Sequence, residues 1–488
     1  MARPSALPPG LSGPTKLLID GEWLEPATGR HYDDINPSTG EVLASIAEAG
    51  AEDVDRAVKA ARAAFQDGAW SRLHASERGR LLYRLARLVE DHAQELAEID
   101  AVDAGKPVTS SLRVDLPAAV DCFEYYAGWA DKIHGETVPV KGGAFTYLLR
   151  QPVGVVGQII PWNFPLMMAA WKLAPALACG CTVLLKPAEQ SPLSALRLGE
   201  LCLEAGLPPG VVNILTGFGE TGAAIVEHPD VDKIAFTGSP EVGRIIMRAS
   251  AGTLKRVSLE LGGKSPNIIL ADADMEAAVR GASGGIFFNQ GEVCSAGSRI
   301  LVERSMYDPF LEQLHKRAAS ISVGDPLDPA TYMGPVVSEE QFERVMGYIG
   351  IGKAEGARLV TGGSRIGDAG FFVQPTIFAE VENRMRIAQE EIFGPVASVI
   401  QVRDADEAVR VANDTIYGLA AAVWTRDVAK AHTIAQRLRA GTVWVNTYGP
   451  TDSRSPWGGF RDSGFGRELG RQALDLYTEY KSVWVALS

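Results

Sequence analysis

The chain is expected to fold as an α/β protein with two Rossmann-like parallel-sheet domains, and three observations carry that expectation. Its 488 residues exceed what one hydrophobic core serves. From residue 147 onward, short apolar strand-like runs alternate with runs of helical period. The turns between them collect glycine, proline and polar side chains at strand ends, where parallel sheets bind ligands.

The elements follow in order. Met1–Gly10 is proline-rich without an apolar core, so it reads as a loose arm and not a signal peptide. Residues 17–48 read as short strands and turns. Two amphipathic helices come next. One carries Val54, Ala57, Val58, Ala61 and Phe65, the other Leu81, Leu82, Leu85, Leu88, Val89, Leu96 and Ile99. A third helical stretch holds Phe123, Tyr125, Tyr126 and Trp129. The first alternating section has strands at 153–160, 182–186, 211–215, 233–236 and 256–261. Its helices are expected at 166–177, 193–204, 223–227 and 241–249. A second section runs from Asn267 to about Asn446, with strands near Ile300, Val396 and Val443. Ser482–Leu487 reads as an edge strand in need of a partner.

Composition narrows the function. A net charge of -13 argues against nucleic acid and anionic membranes as partners. No apolar run approaches the roughly 20 residues of a membrane span. Five cysteines, odd in number and without framework spacing, fit a reduced cytoplasmic protein. Cys179-Gly-Cys181 lacks metal-ligand spacing, and no metal is expected.

The reactive candidates lie on turns. Cys294 follows the break of an apolar helical run at Gly291 and precedes the strand Arg299-Ile-Leu-Val. It is either a nucleophile or a small hydrophobe. Asn163, in Pro161-Trp-Asn-Phe-Pro165, is a turn-former or an oxyanion donor. Glu260, in Glu260-Leu-Gly-Gly-Lys-Ser-Pro266, is a paired acid or a general base with a raised pKa. Lys186 and Glu189 form a surface ion pair or hold a ribose. In Phe236-Thr-Gly-Ser239-Pro240, Ser239 can cap a helix whose N-terminus faces a pyrophosphate. Gly217-Phe-Gly219-Glu-Thr-Gly222 matches the dinucleotide fingerprint, but the next strand end lacks the ribose acid. Phe164, Met168 and Trp171 share a helix face that is core or a tunnel wall.

These motifs, with Gln290-Gly-Glu-Val-Cys294 and Glu390-Glu391-Ile-Phe393-Gly-Pro, stand in an order that resembles NAD(P)-dependent aldehyde dehydrogenases of the hydrolytic, non-acylating type. The resemblance runs from Asp20-Gly-Glu-Trp to the C-terminus. It implies an aldehyde dehydrogenase-like fold, with an NAD-binding domain at 1–129 and 153–261 and a catalytic domain at 262–471. A small β oligomerisation arm at 130–152 and 472–488 would complete a homotetramer, a dimer of dimers, with a plain dimer as alternative. It implies Cys294 as nucleophile, Asn163 with the Cys294 N–H as oxyanion hole, Glu260 as general base and Lys172 in proton traffic. Lys186 and Glu189 would hold the adenosine ribose, Ser239 the pyrophosphate, and Glu391 and Phe393 the nicotinamide riboside. Ile159, Pro161, Trp162, Gly219, Phe236, Gly238 and Leu261 complete the implied cofactor wall, while the Gly217–Gly222 fingerprint as a whole is a decoy. NAD is expected over NADP, because Glu189 would repel a 2′-phosphate. The implied substrate walls are Phe164, Met168, Trp171, Phe288, Glu292, Ser295 and Trp457. They suit a medium aliphatic or aromatic aldehyde. The alternatives are a cationic aldehyde such as betaine aldehyde or an ω-aminoaldehyde, held by cation–π contacts, and a redox-independent cysteine esterase.

Overall fold

The computed structural model describes residues 15–487, so the arm expected at Met1–Gly10 lies outside the described residues. Two large sheets dominate. In the first, five parallel strands run in the spatial order Arg256–Leu261, Lys233–Gly238, Val155–Ile159, Thr182–Lys186, Val212–Ile214. Strand order reverses between Val155–Ile159 and Lys233–Gly238. Such a switch opens a crevice at the carboxyl ends of the strands. Leu17–Ile19 and Glu22–Leu24 extend one edge antiparallel. Gly464–Phe465 pairs antiparallel with Leu259 and Glu260 at the other edge. Thus the strand that carries Glu260 is bordered by a piece of chain from the expected catalytic region.

The second sheet has the order Arg358–Thr361, Thr376–Ala379, Val396–Val402, Arg299–Glu303, Pro266–Ile269, Ala420–Trp424, Thr442–Val445. Only the first of these strands is antiparallel. The link Gly262–Ser265 joins the carboxyl end of one sheet directly to the amino end of the other. The two sheets therefore meet at the seam with opposite strand ends.

A third, antiparallel sheet pairs Ala144–Pro152 with Thr478–Ala486 on one side and Glu136–Val138 on the other. The expected C-terminal edge strand is longer than Ser482–Leu487. Among the described residues it keeps one free edge, with Tyr480 and Trp484 exposed.

Two expectations change. The single helix through Leu81 and Ile99 is two helices, Ala75–Asp91 and Ala93–Ala104, jointed at His92. Glu95 accepts from the ring of His92 and binds Arg197, which anchors the joint. Ala75–Asp91 packs chiefly on Leu116–Trp129 and Ala93–Ala104 chiefly on Leu193–Glu204, and one continuous apolar stripe cannot report that. The strand expected from Val153 begins at Val155, because Gly154 is left-handed (φ 127°) and the Val153 N–H bonds Tyr477 instead.

Helix Pro165–Cys179 starts with proline at its first position and is buried at every residue, apolar nearly all round. It forms a central rod packed with Leu419, Trp444, Trp457 and Leu469 from the second half of the chain, which closes the seam with shared core.

Candidate active site

A cavity of about 840 Å³ opens at this seam. From the first sheet it receives the turns carrying Pro161, Trp162, Asn163 and Phe164, then Gly238 and Ser239, then Glu260 and Leu261. From the second it receives Phe288, Cys294, Ser295, Glu391, Phe393 and Trp457. Met168 and Trp171 of the buried helix complete the wall.

The Cys294 turn is built by backbone geometry. Helix Met275–Phe287 stops, and Asn289, Gln290 and Gly291 follow with φ of 49°, 56° and 74°. The break thus begins before Gly291. Left-handed residues other than glycine are uncommon, and asparagine tolerates that region better than most. The reversal is stapled on both sides. The Glu292 N–H donates to Asn289 O (2.8 Å), Gly297 N–H to Gly285 O (2.8 Å), and the Tyr448 hydroxyl to Ser295 O (2.6 Å). The N–H groups of Ser295 and Cys294 face the sulfur. Burial first, then the carboxylates of Glu391 and Glu260, nonetheless push the thiol up to about 12. The resting group is a thiol that needs a nearby acceptor for its proton.

Glu260 is that kind of acceptor. Both its carboxyl oxygens are buried without a hydrogen-bond partner among the described residues. Burial, then the charge of Glu468, holds its pKa well above the carboxylate range, with Lys172 and Arg467 acting in opposition. A side chain at Gly458 would collide with the carboxyl group, so glycine there is what gives Glu260 room. Asn163 points its amide into the same space. One of its two N–H bonds donates to Glu292 O (2.8 Å), which leaves the other for a ligand.

Lys172 differs from its expected place. It is fully buried and does not line the cavity; its ammonium pairs with Glu468 Oε1. Glu468 does line the cavity, and its Oε2 has no partner among the described residues. Lys172 therefore faces the site only through Glu468, a residue that the sequence reading passed over. A carboxylate in Gly466-Arg-Glu468-Leu carries no local pattern, and only the fold brings it beside Glu260.

Glu391 lies over Gly262 so closely that any Cβ there would enter its carboxylate, and Gly263 N–H donates to Glu391 Oε1 (3.0 Å). Burial raises this carboxyl to about 7. Phe393 is left-handed (φ 61°) and meets Trp162 edge-on at 5.1 Å between centroids. The Gln341 amide donates to the carbonyls of Ile392 and Phe393, which holds that unusual backbone.

Farther along the first sheet, the Lys186 ammonium contacts Glu189 (3.2 Å) and Pro187 O (3.1 Å). Lys186, Glu189, Ile159, Phe236 and Gly219 lie off the main cavity. Gly219 begins helix Gly219–Glu227, and at Gly222 a Cβ would stand 3.6 Å from Ile159 and 3.8 Å from Lys186. That helix therefore closes the Lys186 end of the crevice. Between the two ends, Ser239 caps helix Pro240–Ser250 by accepting from Val242 N–H (3.3 Å), and the buried Thr237 hydroxyl beside it has no partner among the described residues. A capped helix N-terminus with an orphan hydroxyl, flanked by carboxylates at both ends, fits a dinucleotide: anion at the centre, a ribose at each end.

At the opposite end, Phe164 stacks near Phe288 (6.4 Å) and Trp171 meets Trp457 (6.2 Å). Glu292 is not part of this wall. Its carboxylate is buried away from the cavity and accepts from Val337 N–H (3.1 Å), so only its backbone carbonyl serves the site. Tyr448, Val114, Tyr332 and Thr451 also line the cavity, and they come from segments with no motif of their own.

The chain belongs to the aldehyde dehydrogenase family, which matches residues 23–483. It is 54% identical over 473 residues to the mitochondrial aldehyde dehydrogenase of Homo sapiens, covering 96% of this chain and 92% of that protein. Among solved structures, an NAD+ complex of aldehyde dehydrogenase from Bacillus cereus superposes with a TM-score of 0.97 at 51% identity, covering 98% of both chains. A betaine aldehyde dehydrogenase from Staphylococcus aureus, in complex with NAD+, gives 0.96 at 42%, covering 98% of this chain and 95% of that one.

Proposed function

We propose that the protein oxidises a medium aliphatic or aromatic aldehyde to its carboxylic acid with NAD as acceptor. The single observation that carries this is the meeting of Cys294, Asn163 and Glu260 in one cavity with the Ser239 helix and Glu391. The Cys294 thiol gives its proton to Glu260 and its sulfur to the aldehyde carbon. The free Asn163 N–H and the Cys294 N–H hold the oxyanion of the resulting thiohemiacetal. Bound NAD supplies the hydride acceptor. Glu260 then takes a proton from water, the hydroxide attacks the thioester, and the acid leaves as the thiol reforms. Glu468, with an unpartnered oxygen and Lys172 behind it, gives the proton a route onward.

The B. cereus and S. aureus complexes support NAD for this chain. We take 1–129 and 153–261 as the cofactor domain, 262–471 as the catalytic domain, and 130–152 with 472–488 as the arm of a cytoplasmic homotetramer.

The likeness to a betaine aldehyde dehydrogenase favours a second reading, a cationic substrate. Against it, the Lys106 ammonium already stands 3.5 Å from the Phe164 ring centroid. That ring has spent its cation–π capacity on the protein's own charge. An aldehyde panel followed by coenzyme absorbance, with NAD and NADP compared, tests both readings. We expect reduction with neutral aldehydes and a slower rate with their trimethylammonium analogues. No reduction with any aldehyde would overturn the main reading, and acid formation without coenzyme would favour an esterase.

A further inference from the structure

Asn163 is clamped from behind by a charge that the reaction does not use. Lys106 follows the C-terminus of helix Ala93–Ala104 and is 1% exposed. Its ammonium pairs with Asp115, donates to Asn163 O (3.3 Å) and covers the Phe164 ring. The same carbonyl accepts from the Asn289 amide (3.0 Å), which also reaches Glu292 O (3.3 Å). So the Asn163 peptide is held by two donors at its carbonyl, while its side-chain amide is held by Glu292 O at 2.8 Å. An amide group is planar and its two N–H directions are fixed relative to each other. With the backbone and one N–H pinned, the second N–H has one direction left, into the cavity. Burying an ammonium costs free energy that a methionine of similar shape would avoid. The contacts it makes are therefore where its contribution lies.

We propose that Lys106 is a positioning residue for the oxyanion: it locks the Asn163–Phe164 peptide so that the free Asn163 N–H meets the reacting oxygen. This rests on Asn163 being the oxyanion donor. The test uses the full-length enzyme and four variants: Lys106→Met, Lys106→Gln, Asn163→Ala and the Lys106→Met/Asn163→Ala pair. The readouts are the burst rate of NADH formation, the alkylation rate of Cys294 by iodoacetamide, and the melting temperature. We expect Lys106→Met to slow the burst about tenfold, since small misplacements of a reacting group cost that much or more. Lys106→Gln, which keeps a donor, should recover part of the loss. Alkylation of Cys294 should stay within about twofold, because the thiol is not what moves. In the Asn163→Ala background, Lys106→Met should change the burst by less than about twofold, as expected for residues acting through one interaction.

A wild-type burst in Lys106→Met overturns the proposal, as does an equal loss in both backgrounds or a matching loss in alkylation. If Asn163→Ala itself keeps a wild-type burst, the oxyanion assignment fails and the proposal with it, a distinct result. Should Lys106→Met not fold, Asn289→Gly removes the other donor to the same carbonyl at a position already left-handed (φ 49°). A slowed burst there supports the clamp and an unchanged one overturns it.

Discussion

The two parallel sheets present opposite ends to one cavity. The first contributes the carboxyl ends of its strands: Asn163 follows Val155–Ile159, Ser239 follows Lys233–Gly238, and Glu260 is on Arg256–Leu261. The second contributes amino ends: Cys294 precedes Arg299–Glu303, and Glu391 and Phe393 precede Val396–Val402. The turns at Asn163 and Ser239 lead into helices whose N-termini face the crevice, so that side suits anion binding and charge stabilisation. The amino-end turns are held by left-handed residues at Asn289, Gln290 and Phe393. Such backbone is costly and persists only where surrounding contacts enforce it. On the proposed reading, the first sheet supplies the oxyanion donor, the anion seat and the general base, and the second supplies the thiol.

That division is broken most severely by Cys294→Ala. Turnover should fall to background, while NAD still raises the melting temperature, since the Ser239 helix and the Lys186 end are untouched. Loss of the thermal shift along with activity would mean that the two sheets do not divide their labour. Glu260→Gln comes next. Removing a general base costs about 10²–10⁴-fold. Because Glu260 takes the thiol proton before hydride transfer and a water proton after it, we expect that loss in both the NADH burst and the steady state; a retained burst with a slowed steady state would confine Glu260 to the hydrolysis step.

A third measurement reads the amino-end side directly. With the Cys294 thiol pushed up to about 12, the thiolate fraction of the free enzyme should rise with pH throughout the alkaline range. Alkylation by iodoacetamide should therefore increase about tenfold per pH unit from 7 to 10, with no plateau. A plateau below pH 9 would mean that the N–H groups of Cys294 and Ser295 outweigh burial and the neighbouring carboxylates.

The two sides also differ in how far they could be read in advance. Strands 182–186 and 256–261 and helix 193–204 have the bounds their patterns suggest, because one apolar run makes one element. Asn163, Ser239 and Glu260 were legible because strand-end turns of a parallel sheet are where ligands bind. Cys294 was legible as a break in a helical run. Glu292 was misplaced. Its neighbour in sequence lines the cavity, but the left-handed reversal turns its carboxylate toward Val337. Lys106, Tyr448 and Glu468 were invisible, because each acts through partners more than fifty residues away. No local periodicity encodes such pairing.

The smallest expected effect tests the carboxyl-end side at its far edge. Glu189 holds the Lys186 ammonium at 3.2 Å, and together they end the crevice that begins at Glu391. A carboxylate there accepts hydrogen bonds from ribose hydroxyls and repels a 2′-phosphate, whereas an amide of the same shape keeps an acceptor and loses the charge. A like-charge contact near a surface is worth about 1–2 kcal/mol. Glu189→Gln should therefore raise the NADP to NAD ratio of kcat/KM about five- to thirtyfold. The change should come from KM for NADP, with kcat for NAD little altered, because Cys294 and Glu260 lie at the other end of the crevice. A ratio that stays at the wild-type value would remove Glu189 from coenzyme discrimination. It would also move that role onto the Gly219–Glu227 helix, which closes the same edge.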